Sequence, residues 1–67
     1  MNIRHLQVRD MEPGEFFILG REVMHPRLLQ LIDHDRGEYS RSSLCLDVKA
    51  KQYISLDKHA YTIRSKP

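Results

Sequence analysis

Apolar residues in this chain fall in short runs separated by turn chemistry, and the runs alternate instead of repeating at helical spacing. Leu44, Leu46 and Val48 alternate with Cys45 and Asp47, and Ile54 and Leu56 alternate with Tyr53 and Ser55. A period of two marks a strand with unlike faces. Earlier, Pro13-Gly14 precedes Phe16-Phe17-Ile18-Leu19, which stops at Gly20. Pro13 pre-sets φ at the first turn position and Gly14 tolerates positive φ at the next, so a turn launches a buried strand from Glu15 to Leu19.

The other runs read the same way. Ile3 to Val8 is extended, because Pro13 follows closely and no cap precedes Ile3. Leu28-Leu29-Gln30-Leu31-Ile32 follows His25-Pro26, and the residue before a proline is pushed toward extended geometry. Arg27 to Asp33 is too short for a standalone helix and is read as strand. Asp33 to Glu38 is a turn, with Gly37 at its left-handed position. Tyr39 to Val48 is a strand with edge potential, Lys49 to Lys51 a polar connection, and Gln52 to Leu56 the next strand. Asp57 caps a short turn through Ala60, Tyr61 and Ile63 form a last strand, and Ser65-Lys66-Pro67 is a frayed tail.

This pattern predicts an all-β fold: one domain over residues 1–67, a small, SH3-like, partly open antiparallel barrel of about five strands. Its expected core is Phe17, Leu19, Leu28 or Leu29, Leu31 or Ile32, Leu44, Leu46, Ile54, Leu56 and Ile63. With Leu44 and Leu46 inward, Cys45 faces the other side.

The order Leu6-x-Val8, Pro13-Gly14-Glu15-x-Phe17, Gly20, then Leu46-Asp47, Ile54 and Leu56-Asp57-x-x-x-Tyr61-x-Ile63 resembles small uncharacterised bacteriophage and prophage proteins. The resemblance spans nearly the whole chain. It implies an SH3-like barrel, a phage or prophage origin and the cytoplasm of a host cell as the place of action. The chain departs from that pattern at Met24-His25-Pro26 and in the leucine-dense third run.

Size and charge narrow the function classes. A chain of 67 residues buries only about 60% of the surface it exposes when unfolded, so its core is small and assembly would support it. A homodimer or a tight complex with another protein is expected on that ground. No apolar run reaches the roughly 18 residues of a membrane span, and the N-terminal residues lack an apolar stretch of signal-peptide length. The net charge of +2, with acids and bases interleaved, gives only a weak pull toward polyanions.

The chemistry-bearing residues are sparse. His5, His25, His34 and His59 do not fall at metal-ligand spacing, and one cysteine excludes an intramolecular disulfide. Asp33-His34-Asp35 reads as a group of solvated turn formers, and Cys45 as a packing residue. There is no nucleophile elbow and no phosphate-cradling glycine loop. The expectation is a non-enzymatic protein without cofactor or metal, which docks onto a host protein and modulates or inhibits it. Arg21, His25, Arg27, His34, Arg36, Tyr39 and Arg41 are the expected contact residues, since Arg and Tyr combine large contact area with polar reach. The rival expectation is a nucleic-acid-binding barrel that adds Lys49, Lys51 and Tyr53.

Overall fold

A computed structural model describes residues 6–66 and is all-β. Six strands follow in chain order: β1 (Leu6–Gln7), β2 (Phe16–Leu19), β3 (Leu29–Asp33), β4 (Ser42–Asp47), β5 (Gln52–Asp57) and β6 (Tyr61–Arg64). Two 3₁₀ turns, Val8–Asp10 and Gly20–Glu22, follow β1 and β2. The strands form one antiparallel sheet in the order β1-β6-β2-β3-β4-β5. The sheet is not closed: β1 and β5 are its edges. Lys58 brings the two halves together, since its N–H donates to the Arg41 carbonyl at 2.7 Å and its carbonyl accepts from Arg9 N–H at 2.9 Å.

Most of the expected boundaries hold to within a few residues, and Leu29–Asp33 is strand, not helix. Ile3 and His5 lie outside the described residues, as does Pro67. Ser65 is not frayed: its N–H donates to the Phe16 carbonyl at 3.0 Å and prolongs the β2–β6 pairing. Gly14 takes the positive φ expected of it, +94°. Gly37 does not. It is required for space, because a Cβ there would overlap the carbonyl and hydroxyl of Ser42.

The core consists of Val8, Met11, Phe17, Leu19, Leu29, Leu31, Cys45 and Leu56, with Leu6, Ile54 and Ala60 packed around it. Register explains the set. Phe17 pairs with Leu29, Leu31 with Cys45, Cys45 with Ile54, Ser43 with Leu56, and Leu19 with Thr62, and directly opposed residues share a face. Two expectations therefore invert. Leu44 and Leu46 lie on the outer face while Ser43 and Cys45 are buried, and Ile63 is 47% exposed while Thr62 is buried. Large side chains from β2, β3 and Met11 fill the interior, leaving β4 room for small ones.

Candidate binding surface

Inversion of β4 leaves the outer face of the sheet apolar as well. Phe16, Gln30, Leu46 and Tyr53 lie directly opposite one another in a row across four strands, and Ile18 faces Ile63 on the next pair. The β3–β4 register slips between Leu31 and Asp33, so Ile32 is the extra residue of a bulge. Beside that bulge a groove of about 470 Å³ is lined by Ile32, Leu44, Tyr53 and Arg36. Tyr53 is 65% exposed, and Arg36 makes no hydrogen bond or ion pair with the described residues. The groove thus joins two aliphatic side chains, an open phenol ring and an unengaged guanidinium.

Arg36 stands on a braced loop between β3 and β4. Asp33 Oδ1 accepts from Asp35 N–H at 2.8 Å, the local bond that turns the chain out of β3. His34 is half-buried and holds the loop to two other segments. Its Nε2 donates to the Met11 carbonyl at 2.7 Å, and its Nδ1 lies 2.8 Å from Ser43 Oγ. A carbonyl only accepts, so Nε2 carries a hydrogen toward Met11, and the Ser43 hydroxyl, which can both donate and accept, partners Nδ1. His34 is therefore a structural bridge, not the solvated turn former its acidic neighbours suggested. Farther along, Glu38 N–H donates to Ser55 Oγ at 2.8 Å and Ser42 Oγ both accepts from Tyr39 N–H and donates to the Tyr39 carbonyl. Lys58 Nζ donates to the Ser40 carbonyl at 3.3 Å. Arg36, Tyr39 and Arg41 project from this loop into solvent.

The other three expected contact residues lie elsewhere. Arg21, His25 and Arg27 belong to the β2–β3 connection, at the opposite end of β3 from His34, Arg36, Tyr39 and Arg41. Five residues of strand, about 17 Å, separate the two groups. Arg27 is spent on bracing: Nε donates to Glu22 Oε1 at 3.0 Å, and Nη1 lies 3.7 Å from Asp47 Oδ2. Arg21 and His25 are exposed, beside Val23 and a Met24 that is 83% exposed. Lys49 and Lys51 lie in the β4–β5 turn, next to Tyr53 at the start of β5.

The reactive side chains are otherwise engaged. Cys45 is fully buried, its thiol hydrogen reaches toward the Ser43 carbonyl at 3.7 Å, and desolvation pushes its pKa up to about 12. The thiol is thus held neutral, the reverse of what a nucleophilic cysteine requires. His59 is exposed, with Nδ1 at 3.5 Å from Asp57 Oδ1. Among the described residues, no three His, Cys, Asp or Glu side chains gather as a metal would need. No described helix is long and apolar enough to cross a membrane.

The sequence pattern put Leu44, and either Leu31 or Ile32, in the core, and offered Tyr53 as a contact only in the nucleic-acid reading. A bulge and a strand phase decide their placement, and neither is written in hydrophobic periodicity. No protein-family model, curated protein or solved structure matches the chain.

Proposed function

We propose that the chain is a small binding protein that docks onto another protein through the outer face of its sheet. The observation that carries this reading is the groove of Ile32, Leu44, Tyr53 and the unengaged Arg36, whose Tyr53 ends the row that Leu46, Gln30 and Phe16 continue across the sheet. Contiguous exposed apolar surface with a polar rim is the usual mark of a contact site, and Tyr and Arg are its usual anchors. The chemistry suits a segment that places an apolar side chain beside a carboxylate. The resemblance to phage and prophage barrels supplies the context: a cytoplasmic host protein whose activity the contact modulates. In the same reading the sheet is a partly open SH3-like barrel, supported by the two hydrogen bonds that Lys58 makes toward β4 and toward the segment after β1.

Immobilised protein incubated with nuclease-treated host lysate tests this. A captured protein that is lost with Arg36→Glu or Tyr53→Ala and retained with Arg21→Glu is the expected result. Capture that depends on Arg21 and not on Arg36 would refute the assignment of the groove.

One observation favours a nucleic acid as the alternative partner. Lys49 and Lys51 lie in the turn that leads into β5, the strand that carries Tyr53, and Tyr53 shares its groove with Arg36. Binding of that kind weakens log-linearly as salt rises and disappears on nuclease treatment, whereas an apolar contact survives both.

A further inference from the structure

Among the described residues, β5 is the longer of the two sheet edges, with six residues against two in β1. The edge expected at Tyr39 to Val48 is internal, because β4 pairs with both β3 and β5. Lys58 N–H bonds the carbonyl of Arg41, the residue that precedes β4. Hydrogen-bonded and non-bonded pairs alternate along an antiparallel ladder, so Leu56, Ile54 and Gln52 also bond toward β4. The N–H and C=O groups of Tyr53 and Ser55 consequently point to the open side, while the Asp57 carbonyl is taken by Ala60 N–H at 3.1 Å. Common protections of an edge are missing from Gln52 to Leu56: there is no proline and no charge, and the β4–β5 register runs without a bulge.

Lys51, the last residue of the β4–β5 turn, immediately precedes this edge, and Asp57 ends it. Two such strands laid antiparallel about a two-fold axis at Ile54 put each Lys51 opposite the Asp57 of the second copy. Tyr53 then faces Ser55, and the outward N–H and C=O groups of both residues find partners. A slip of one residue would join the core face of one sheet to the outer face of the other. A slip of two toward the hairpin leaves only Gln52 to Ile54 paired within the strand. A slip of two the other way sets Asp57 against Tyr53 and Lys51 against His59, with no ion pair. We propose that a second copy of this chain occupies the β5 edge in the Ile54-centred register, merging the two sheets into one. The groove at Tyr53 then recurs on the same face across the two-fold axis.

Light scattering over a concentration series reads this out. The mass should climb from 8.0 kDa toward twice that value. Tyr53→Pro removes an outward donor without touching a β4 bond, and should remain monomeric with an unchanged circular dichroism spectrum. Lys51→Asp and Asp57→Lys should each weaken the dimer about tenfold, and the swapped double variant should restore it. Lys51 has φ +56°, a conformation that aspartate tolerates. Asp57→Lys also loses the 2.8 Å bond to His59 N–H, but the double variant shares that loss, so rescue isolates the charge pairing. A monomer at every concentration would overturn the proposal and leave the edge to a foreign strand. A dimer that survives Tyr53→Pro, or a swap that fails to rescue, would overturn it by assigning the contact to another surface or register.

Discussion

His34 Nδ1 lies 2.8 Å from the hydroxyl of Ser43, a residue with no exposed surface, while the other ring nitrogen holds the Met11 carbonyl at 2.7 Å. One imidazole therefore fastens the β3–β4 loop to the inner face of β4 and to the segment before β2. Replacing His34 with alanine leaves a buried hydroxyl and a nearly buried backbone carbonyl without these partners, at about 1–3 kcal/mol for each such group. We expect His34→Ala to lower the unfolding free energy by about 2–3 kcal/mol in urea titration. Ser43→Ala should cost less, and the two losses should be non-additive. Strict additivity would mean that the bridge does not act as a unit.

The buried thiol predicts a pH dependence. The Cys45 pKa stands at about 12 in the fold against 9.0 as the ordinary value, because burial disfavours the thiolate. A group whose folded pKa is raised contributes its full stability below the unfolded pKa and loses it as pH rises toward the folded one. Wild-type protein should lose stability between pH 9 and 12, by up to about 1.4 kcal/mol per pH unit, relative to Cys45→Ala followed in parallel. Parallel curves for the two proteins across that window would contradict the enclosure of the thiol.

Thr62 is buried on β6, and its Oγ1 has no hydrogen-bond partner among the described residues. Valine has nearly the same shape and no hydroxyl to desolvate. Thr62→Val should raise stability by about 1 kcal/mol, seen as a higher urea midpoint at unchanged slope. A lower midpoint would show that the hydroxyl is satisfied in solution.

The two turn glycines should respond differently to alanine. Gly14 has φ +94° and nothing within 4 Å of an added Cβ, so Gly14→Ala meets backbone strain alone, about 1 kcal/mol. At Gly37 the added Cβ overlaps Ser42, which is itself bonded to Tyr39, so neither side yields easily. Gly37→Ala should cost about 3 kcal/mol and loosen the loop that carries Arg36. Equal midpoints for the two variants in thermal melts would contradict this distinction.

Turn chemistry and alternation were legible in the sequence, and they suffice for the strands. Pro13-Gly14, the Asp33 turn and the Asp57 cap each form through bonds within a few residues of chain. Strand phase was not legible. Alternation says that Leu44 and Cys45 face opposite ways but not which way is inward, and apolar residues on both faces of β4 erase the contrast. The pairing of Leu31 with Cys45 decides it, a contact between strands that a single strand's pattern does not contain. Thr62 and Ile63 follow the same rule, since Thr62 lies opposite Leu19. Val8 and Met11 entered the core without periodicity, from a 3₁₀ turn and the loop after it. The expected contact residues divided because β3 stands between their two loops, and the groove emerged only where the bulge set Ile32 beside Leu44 and Tyr53.

Footprinting the partner on the protein tests the central claim most directly. Isotope-labelled protein, titrated with the purified protein captured from nuclease-treated lysate, would be followed by amide chemical shifts. The account predicts that the largest changes fall on Ile32, Arg36, Leu44, Leu46 and Tyr53, with Arg21 to Arg27 unmoved. Changes confined to Arg21 through Arg27, with the groove unmoved, would contradict it.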